Sequence, residues 1–267
     1  MICIMEIRDL RIDRGRAFDW GKASSDYADY RDIYPERFYR SLTDRGLCVK
    51  GQKVLDVGTG TGVLPRNMLH FGASWIGTDI SEEQILQAKR LSEHLGDGIK
   101  YCVSGAEKLM FEPGSFDIIT ACQCFWYFDH KRTSPLFAKM LSCGGKLVFM
   151  MMNWLPFEDK IAYKSEELVL KYNPHWSGGG DTFHPLSVPE EYYEFFDIAD
   201  SFEYRLPVHF TRESWNGRIR ACRGIGASSL SDKEIADWEK EHLTMLGDFP
   251  DEFNILHYAA FAVLEKK

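Results

Sequence analysis

The sequence has no run of 18 consecutive apolar residues, so it predicts no helix that spans a membrane. Basic residues are in the minority: 32 lysines and arginines face 40 aspartates and glutamates, which gives a formal net charge of −8 at pH 7. A surface for nucleic-acid phosphates needs a basic face, which this balance disfavours without excluding a local basic pocket. We therefore expect neither nucleic acid nor a membrane among the partners.

Cysteine and histidine are too scattered to suggest a disulfide framework or a metal site. The seven cysteines are odd in number and show no C-x-x-C spacing, which favours reduced thiols in a cytoplasmic protein. Cys122 and Cys124 flank Gln123; a catalytic thiol is conceivable there, while a small buried side chain is the commoner role. No spacing of histidine with acidic residues indicates a bound metal. With 267 residues and 45% hydrophobic content, the chain can bury one substantial core.

A glycine-rich turn follows the first clear strand. Residues 54–57 are apolar apart from one acid, as in a buried parallel strand, and Gly58, Gly60 and Gly62 follow at alternate positions. Glycine at these positions lets the backbone bend sharply and approach a ligand that a side chain would block. A helix over 64–71 is expected after the turn, with its N-terminus facing that ligand.

An acidic residue ends the next strand. Residues 74–79 form a second predicted strand, and Asp79 closes it, 17 positions after Gly62. A carboxylate at this place can accept hydrogen bonds from both hydroxyls of a ribose. Ser81 is a predicted N-cap for the helix that follows, with Gln84 at the capping-box position. Turn and acid together predict an adenosine-bearing cofactor on the first strand-turn-helix of a doubly wound sheet.

The spacing of the glycines indicates the cofactor. A dinucleotide fingerprint is G-x-G-x-x-G, whereas residues 56–62 read D-V-G-T-G-T-G. The carboxylate of Asp56 beside the turn would repel a pyrophosphate and would suit a cationic amine, such as that of a methionine moiety. Residues 54–62 resemble, without a gap, the first motif of the class I S-adenosylmethionine-dependent methyltransferases. The resemblance implies S-adenosyl-L-methionine as the cofactor; a turn that binds nothing is the alternative.

The resemblance continues to about residue 150. The third, fourth and fifth strands are expected over 99–103, 116–121 and 144–150. The sequence departs from the family pattern at one position: Gly105 stands where the family usually has the acidic residue that bonds the adenine amino group. Backbone groups of Ala106 and Glu107 would therefore have to recognise the adenine.

Aromatic residues are dense ahead of the first strand. The run from Asp26 to Pro35 resembles a lid segment of the family, whose tyrosine and arginine reach the methionine carboxylate. This implies cofactor contacts for Tyr27 and Arg31; the alternative is that the rings only pack a helix on the sheet. In full, the resemblance assigns cofactor binding to Tyr27, Arg31, Asp56, Gly58, Thr59, Gly60, Gly62, Asp79, Ile80, Gly105, Ala106, Glu107 and Gln123.

The expected fold is α/β, with a doubly wound, Rossmann-like sheet of seven mostly parallel strands and an antiparallel last strand. An N-terminal helical lid and a substrate cap inserted after the fifth strand complete a single domain. The expected segments are a lid over 1–49, a cofactor-binding core over 50–150, a cap over 151–200 and completion of the sheet over 201–267. Later helices are expected over 159–171, 215–225 and 232–246, and later strands over 202–210 and 255–264.

The methyl acceptor is expected at the carboxyl end of the fourth strand. Residues 121–129 resemble a stretch of small-molecule methyltransferases related to the trans-aconitate methyltransferases, with Trp126 where a histidine often stands. Gln123 would offer a neutral hydrogen bond. Trp126 would wall the site and hold the cationic methyl group by cation–π attraction, with ordinary packing as the alternative.

Four basic residues are further candidates for substrate binding. His175 and His184 lie in the expected cap near a glycine run, where a satisfied or solvent-facing histidine is the commoner outcome. Arg220 and Arg223, at i and i+3 of an expected helix, could clamp a substrate carboxylate or phosphate. A solvated helix face paired with acids such as Glu213 is the alternative.

These features favour an enzyme that transfers a methyl group to a small molecule by metal-independent, in-line displacement. Two alternatives stay open. One is a non-catalytic module that binds S-adenosylmethionine or S-adenosylhomocysteine, which the missing acid and the missing histidine would permit. The other is a nicotinamide-dependent oxidoreductase, which the glycine spacing disfavours. The sequence carries no signal for the oligomeric state.

Overall fold

The computed structural model describes residues 8–267. The first seven residues of the expected lid segment lie outside the described residues. The helices of the described range are α1 (Ser24–Tyr30), α2 (Glu36–Thr43), α3 (Val63–Met68), α4 (Glu82–Ser92), α5 (His130–Met140), α6 (Lys160–Tyr172), α7 (Arg212–Arg220) and α8 (Asp232–Leu246). The strands are β1 (Lys53–Val57), β2 (Ser74–Asp79), β3 (Ile99–Val103), β4 (Phe116–Cys122), β5 (Leu141–Trp154), β6 (Phe196–Thr211) and β7 (Glu252–Lys266).

The seven strands form one sheet in the order β3-β2-β1-β4-β5-β7-β6. Strand β1 is parallel to both of its neighbours, with Leu55 opposite Ile76 of β2 and opposite Ile119 of β4. The pairs β2–β3 and β4–β5 are also parallel, and antiparallel strands complete the sheet. The expected doubly wound α/β fold is confirmed. Because parallel strands share a direction, the carboxyl ends of β1 to β4 meet at one edge, where ligands of such sheets bind.

The central strands are buried on both faces. Val54, Leu55, Ile119, Leu147 and Phe149 have no exposed surface. Neighbouring residues of a strand point to opposite faces, so the burial of both Val54 and Leu55 requires cover on both sides. Parallel strands buried in this way read as continuous apolar runs, which is why the sequence located them.

Local signals determine several element boundaries. Strands β2 and β3 and helix α8 have the bounds expected from the sequence. Ser81 caps α4: its hydroxyl accepts a hydrogen bond from the Gln84 N–H (3.2 Å) and donates one to the Glu83 carboxylate (2.9 Å). Asp159 caps α6 by accepting hydrogen bonds from two backbone N–H groups of its first turn.

Other boundaries differ from the expectation. Strand β5 begins at Leu141 and β6 begins at Phe196, several residues early, because pairing with neighbouring strands extends them beyond their apolar runs. Helix α7 ends at Arg220, where helix to Ile225 was expected. The chain turns there, and the N–H of Gly226 donates to the carbonyl of Arg220 (2.9 Å).

The chain groups into two compact units. The core unit, which holds β1 to β4 and α2 to α5, is formed by residues 34–152, 184–204 and 259–267. The helical unit, which holds α1 and α6 to α8, is formed by residues 8–33, 153–183 and 205–258. The glycine turn and the ends of β1 to β4 therefore belong to one unit.

Candidate active site

The turn between β1 and α3 has glycine at three left-handed positions. Gly58, Gly60 and Gly62 have φ values of +70°, +56° and +75°, which other residues rarely adopt. A Cβ on Gly58 would lie 2.6 Å from Sγ of Cys124, and one on Gly62 would collide with the ring of Tyr101. A Cβ on Gly60 would meet only one side-chain oxygen, at 3.8 Å. The chain's own side chains thus explain two of the glycines, and Gly60 alone leaves room for a ligand.

Asp79 holds this turn in place. Its Oδ2 accepts a hydrogen bond from the N–H of Gly60 (2.9 Å), and its Oδ1 accepts one from the N–H of Ser81 (2.9 Å). The N–H of Thr59 donates to the carbonyl of Thr78 (2.8 Å). Burial raises the pKa of Asp79, and the N–H donors partly offset that effect. The carboxylate thus joins the turn to the start of α4; its expected bonds to a ribose stay a prediction.

Asp56 points into the sheet. It is 2% exposed, and its two oxygens accept hydrogen bonds from the hydroxyls of Thr59 (2.6 Å) and Thr120 (2.7 Å). Burial raises the pKa of this carboxyl to about 6. In this arrangement Asp56 anchors the glycine turn to β4. Its contact with the amine of a methionine moiety stays a prediction.

The residues expected to surround an adenine lie close together in the core unit. Ile80, directly after β2, is 38% exposed, and Ala106 is buried in the short turn after β3. A Cβ on Gly105 would be in ordinary contact with Ile80 (3.5 Å) and with Oε2 of Glu107 (3.6 Å). The other oxygen of Glu107 accepts a hydrogen bond from the N–H of Asp129 (2.9 Å). The flat face of a base could pack against the apolar side chains of Ile80 and Ala106, with the polar edge of the base towards Glu107.

The end of β4 carries backbone strain that the sequence did not reveal. Gln123 has φ +64°, in the left-handed region that non-glycine residues adopt at a cost of about 1–3 kcal/mol. Its N–H donates to the carbonyl of Met150 (3.0 Å), and its side-chain amide donates to the carbonyl of Met152. Trp126, half-buried, follows in a short turn with its ring edge-to-face on Phe125 (centroids 5.0 Å apart). Strain of this kind is concentrated at functional sites.

Cys124 packs against the glycine turn. Its thiol donates to the carbonyl of Val57 (3.1 Å) and lies beside Gly58. Burial raises the pKa of this thiol well above its ordinary value, so a reactive thiolate is disfavoured. Cys124 is half-buried, and its contacts with the glycine turn support a packing role rather than a catalytic one.

Tyr101 was not identified as a site residue from the sequence. Its ring lies against both Gly62 and Gly77, and its hydroxyl shares a hydrogen bond with Ser92 (3.0 Å). Burial raises the pKa of the phenol to about 12. Only its place on the third strand, next to the cofactor turn, could have suggested this role.

The sequence of this chain is similar to those of known proteins. The family model described as "Methyltransferase domain" matches residues 54–145. A ubiquinone biosynthesis O-methyltransferase of Pseudomonas putida (strain W619) is 30% identical over 160 residues, which are 59% of this chain and 68% of that protein. The chain belongs to the class I S-adenosylmethionine-dependent methyltransferases. It is an enzyme whose cofactor is S-adenosyl-L-methionine and whose substrate is a small molecule.

Further relatives agree with this assignment. A protein of the same name from Chromobacterium violaceum is 28% identical over 63% of this chain and 73% of its own length. Two solved structures share the fold. YjhP from E. coli has a TM-score of 0.53 at 17% identity, covering 92% of this chain and 99% of that one. A structure from work on the conversion of a disulfide bond into a thioacetal group during echinomycin biosynthesis has a TM-score of 0.54 at 15% identity, covering 87% and 83%.

The two lid residues of this methyltransferase lie in the helical unit. The guanidinium of Arg31 lies 4.5 Å from the centre of the Tyr27 ring, and Trp20 packs edge-to-face on the same ring. The contacts of Tyr27 and Arg31 with the cofactor stay predictions.

The two arginines expected to clamp the substrate have acidic partners inside the helical unit. Arg220 makes two parallel hydrogen bonds to Asp26 (2.7 and 2.9 Å) and pairs with Glu239. Arg223 pairs with Asp13 (2.6 Å) and is 11% exposed. Because α7 ends at Arg220, the two do not share a helix face. The expectation that the two arginines share a helix face is therefore wrong, whereas their role in substrate binding stays a prediction.

The two cap histidines lie in different units. Nδ1 of His184 lies 2.7 Å from the carbonyl of Pro185 in the core unit. Nδ1 of His175, in the helical unit, is buried and has no hydrogen-bond partner among the described residues. Neither arrangement tests a role in substrate binding, which stays a prediction for both.

Among residues 8–267, no group of three or more His, Cys, Asp or Glu residues is arranged to hold a metal ion. No helix of the described residues is both long enough and apolar enough to cross a membrane.

Proposed function

We propose that this methyltransferase moves the methyl group of S-adenosylmethionine directly to a small organic acceptor, in line and without a metal ion, at the carboxyl end of β4. The observation that carries the proposal is the glycine turn of β1, fastened to the carboxylate of Asp79 at the end of β2. That turn leaves space at Gly60. A carboxylate at the end of the second strand is the acceptor that a ribose uses in folds of this kind, which supports the proposal. A cytoplasmic location accords with the absence of disulfides among the described cysteines.

The residues of the core unit fit the proposed cofactor. Asp79 would accept the ribose hydroxyls, and Ile80 with Ala106 would line the base. Asp56 would contribute negative charge beneath the turn, on the side of the methionine amine. By resemblance, Tyr27 and Arg31 stay the candidates for the methionine carboxylate.

Transfer of the methyl group needs alignment more than covalent help. The bound cofactor supplies a methyl carbon already activated by its sulfonium charge. The fixed amide of Gln123 would orient the acceptor, since its left-handed backbone and its bond to Met152 leave the side chain little freedom. The face of Trp126 would exclude water and attract the cationic methyl group. The cap, over 151–200, would select the acceptor.

The proposal is tested in two steps. The purified protein is titrated calorimetrically with S-adenosylhomocysteine and with NAD; saturable binding of the first and none of the second is expected. The protein is then incubated with methyl-labelled S-adenosylmethionine and a fractionated metabolite extract, with and without EDTA. Fractions that contain hydroxylated compounds are assayed first, because the similar curated proteins are named O-methyltransferases.

Each result has a definite meaning. Label in a small molecule, unchanged by EDTA, supports direct transfer without a metal. Loss of transfer with EDTA overturns the metal-independent step. Tight binding without transfer to any fraction would favour a regulatory module, and binding of NAD alone would favour an oxidoreductase.

A further inference from the structure

A buried carboxylate fastens an N-terminal segment, the strap (residues 9–17), to the cap loop (residues 177–180) within the helical unit. Asp13 of the strap is 4% exposed. Its Oδ1 accepts hydrogen bonds from the N–H (2.7 Å) and the hydroxyl (3.0 Å) of Ser177. Its Oδ2 forms an ion pair with Arg223 (2.6 Å), whose side chain is 11% exposed. Because both charges are largely removed from water, each depends on the other for compensation.

The backbone of the strap is strained where it holds the cap loop. Asp13 and Arg14 have φ values of +48° and +55°, in the left-handed region that non-glycine residues adopt at an energetic cost. Gly15 follows with a φ of +76°. Two consecutive non-glycine residues keep such a conformation only while the surrounding contacts hold them in it. The bonds of Asp13 therefore maintain the strain, and their loss would let the strap relax.

The cap loop closes over Trp176, which is 7% exposed. A Cβ on Gly178 would lie 2.6 Å from Nε1 of the indole, and a Cβ on Gly179 would lie 2.8 Å from its Cζ3. From a distant part of the chain, a Cβ on Gly224 would lie 3.0 Å from Cδ2 of the same ring. Asp13 bonds the residue after Trp176 and the residue before Gly224, so it joins the two stretches of chain that enclose the indole.

The strap and the cap loop are held to different degrees. Just after the strap, Phe18 is 2% exposed, and the N–H of Asp19 donates to the carbonyl of Ala227 (2.9 Å). This end of the segment is therefore anchored in the helical unit. Residues 177–180 are exposed to solvent, so the cap loop can move away from Trp176 without unpacking the helices.

We propose that the strap is a latch on the cap loop. While Asp13 holds Ser177 and Arg223, the loop is closed over Trp176; when Asp13 releases them, the loop opens. The strained backbone favours release and the buried bonds favour closure, and opposing contributions of this kind give an element two states. The cap is the part of the chain proposed to select the acceptor, so opening of the loop would admit or release the acceptor. This last consequence rests on the proposed function.

Hydrogen exchange followed by mass spectrometry tests the latch in the intact protein. The reporter is a peptide that covers residues 176–183, in which the N–H of Gly180 donates to Oε2 of Glu166 (2.8 Å). Asp13→Asn removes the charge but keeps a residue type that tolerates the left-handed backbone. It should accelerate exchange in this peptide by about 10- to 100-fold, the range for the loss of hydrogen bonds to a charged group. Peptides from α6 and α8 should exchange at their wild-type rates.

Three variants serve as controls for this result. Asp19→Asn is the matched control, because the Asp19 carboxylate accepts the N–H of Gly21 (2.8 Å) in the same segment, and it should leave exchange unchanged. Ser177→Ala keeps both buried charges and should accelerate exchange by a smaller factor than Asp13→Asn. Arg223→Met breaks the same latch, so combining it with Asp13→Asn should accelerate exchange by less than the product of the two single effects.

Unchanged exchange of the 176–183 peptide in both Asp13→Asn and Ser177→Ala overturns the latch. Equal acceleration in that peptide and in α6 and α8 also overturns it, because Asp13 would then act through the fold of the whole unit. Calorimetric titration with S-adenosylhomocysteine separates this inference from the proposed function. Asp13→Asn should keep the wild-type affinity, since the glycine turn lies in the core unit. A wild-type protein that does not bind this ligand overturns the proposed function, while the exchange rates still decide the latch.

Discussion

Sγ of Cys124 lies 2.6 Å from the position that a Cβ on Gly58 would take. The first residue belongs to the segment after β4, where the acceptor is expected, and the second opens the cofactor turn after β1. The thiol also donates to the carbonyl of Val57, so side chain and turn are joined by a hydrogen bond as well as by contact. The glycine turn after β1 and the segment after β4 are therefore packed directly on each other. A substitution in one of them should alter the conformation of the other.

Gly58→Ala should destabilise the protein by about 2–5 kcal/mol. The estimate combines about 1–2 kcal/mol for a left-handed non-glycine residue with about 1–3 kcal/mol for overpacking against Cys124. Gly114→Ala is the matched control, because Gly114 has nearly the same φ (+69°) but only one atom near its missing Cβ, at 3.9 Å. Urea unfolding of both variants measures the difference. Equal losses at the two positions would show that the contact with Cys124 is unimportant.

Asp79→Ala should weaken binding of S-adenosylhomocysteine by about 10- to 100-fold, because charge-assisted hydrogen bonds to the ribose would be lost. It should also cost about 1–3 kcal/mol of stability, since the N–H groups of Gly60 and Ser81 lose their acceptor. Asp117→Ala is the control. Asp117 likewise accepts a backbone N–H, that of Lys53 (2.9 Å), but at the start of β4. Calorimetry should show weakened binding only in the first variant; a similar loss in both would mean that Asp79 acts through the fold.

Asp56→Asn should change how stability depends on pH. Burial raises the pKa of Asp56 to about 6 in the folded protein, above the value of 3.8 for the free group. The folded state therefore binds this proton more tightly, and its contribution to stability is fully present below about pH 4 and is lost as pH rises through 6. The loss amounts to about 3 kcal/mol at 1.36 kcal/mol per pH unit. The free energy of unfolding, measured in urea from pH 4 to 7.5, should fall less steeply in Asp56→Asn. Parallel curves for the two proteins would refute the expected titration.

Arg220→Met should destabilise the protein by about 2–3 kcal/mol without altering cofactor affinity. The variant would leave the carboxylates of Asp26 and Glu239 without their cationic partner. Because the side chain of Arg220 is a quarter exposed, we expect this to cost less than the roughly 3–5 kcal/mol typical of fully buried ion pairs. Arg205→Met is the control: its pair with Glu158 is exposed and screened by solvent, so its loss should cost much less stability. Unfolding curves test the stability difference. If Arg220→Met instead left stability unchanged and reduced turnover of an identified acceptor, the predicted role of Arg220 in substrate binding would be supported.

The sequence by itself determined the parallel core and the place of the cofactor turn. The bounds of β2 and β3 follow from apolar runs that end at polar residues, and the N-cap of α4 follows from a serine whose side chain bonds the next turn. These signals are local, because strand burial and helix capping depend on residues within a few positions. The resemblance of residues 54–62 to the first motif of the family then indicated which cofactor binds there.

Only the tertiary structure decided what the site residues contact. Gly58 owes its lack of a side chain to Cys124, 66 positions later, Asp56 turns inward to Thr120, and Arg220 is held by Asp26, 194 positions earlier. The strained backbone of Gln123 likewise depends on the neighbouring strand β5. Partners so distant in the chain are chosen by the packing of the sheet and helices, and no spacing or periodicity within the sequence encodes that choice.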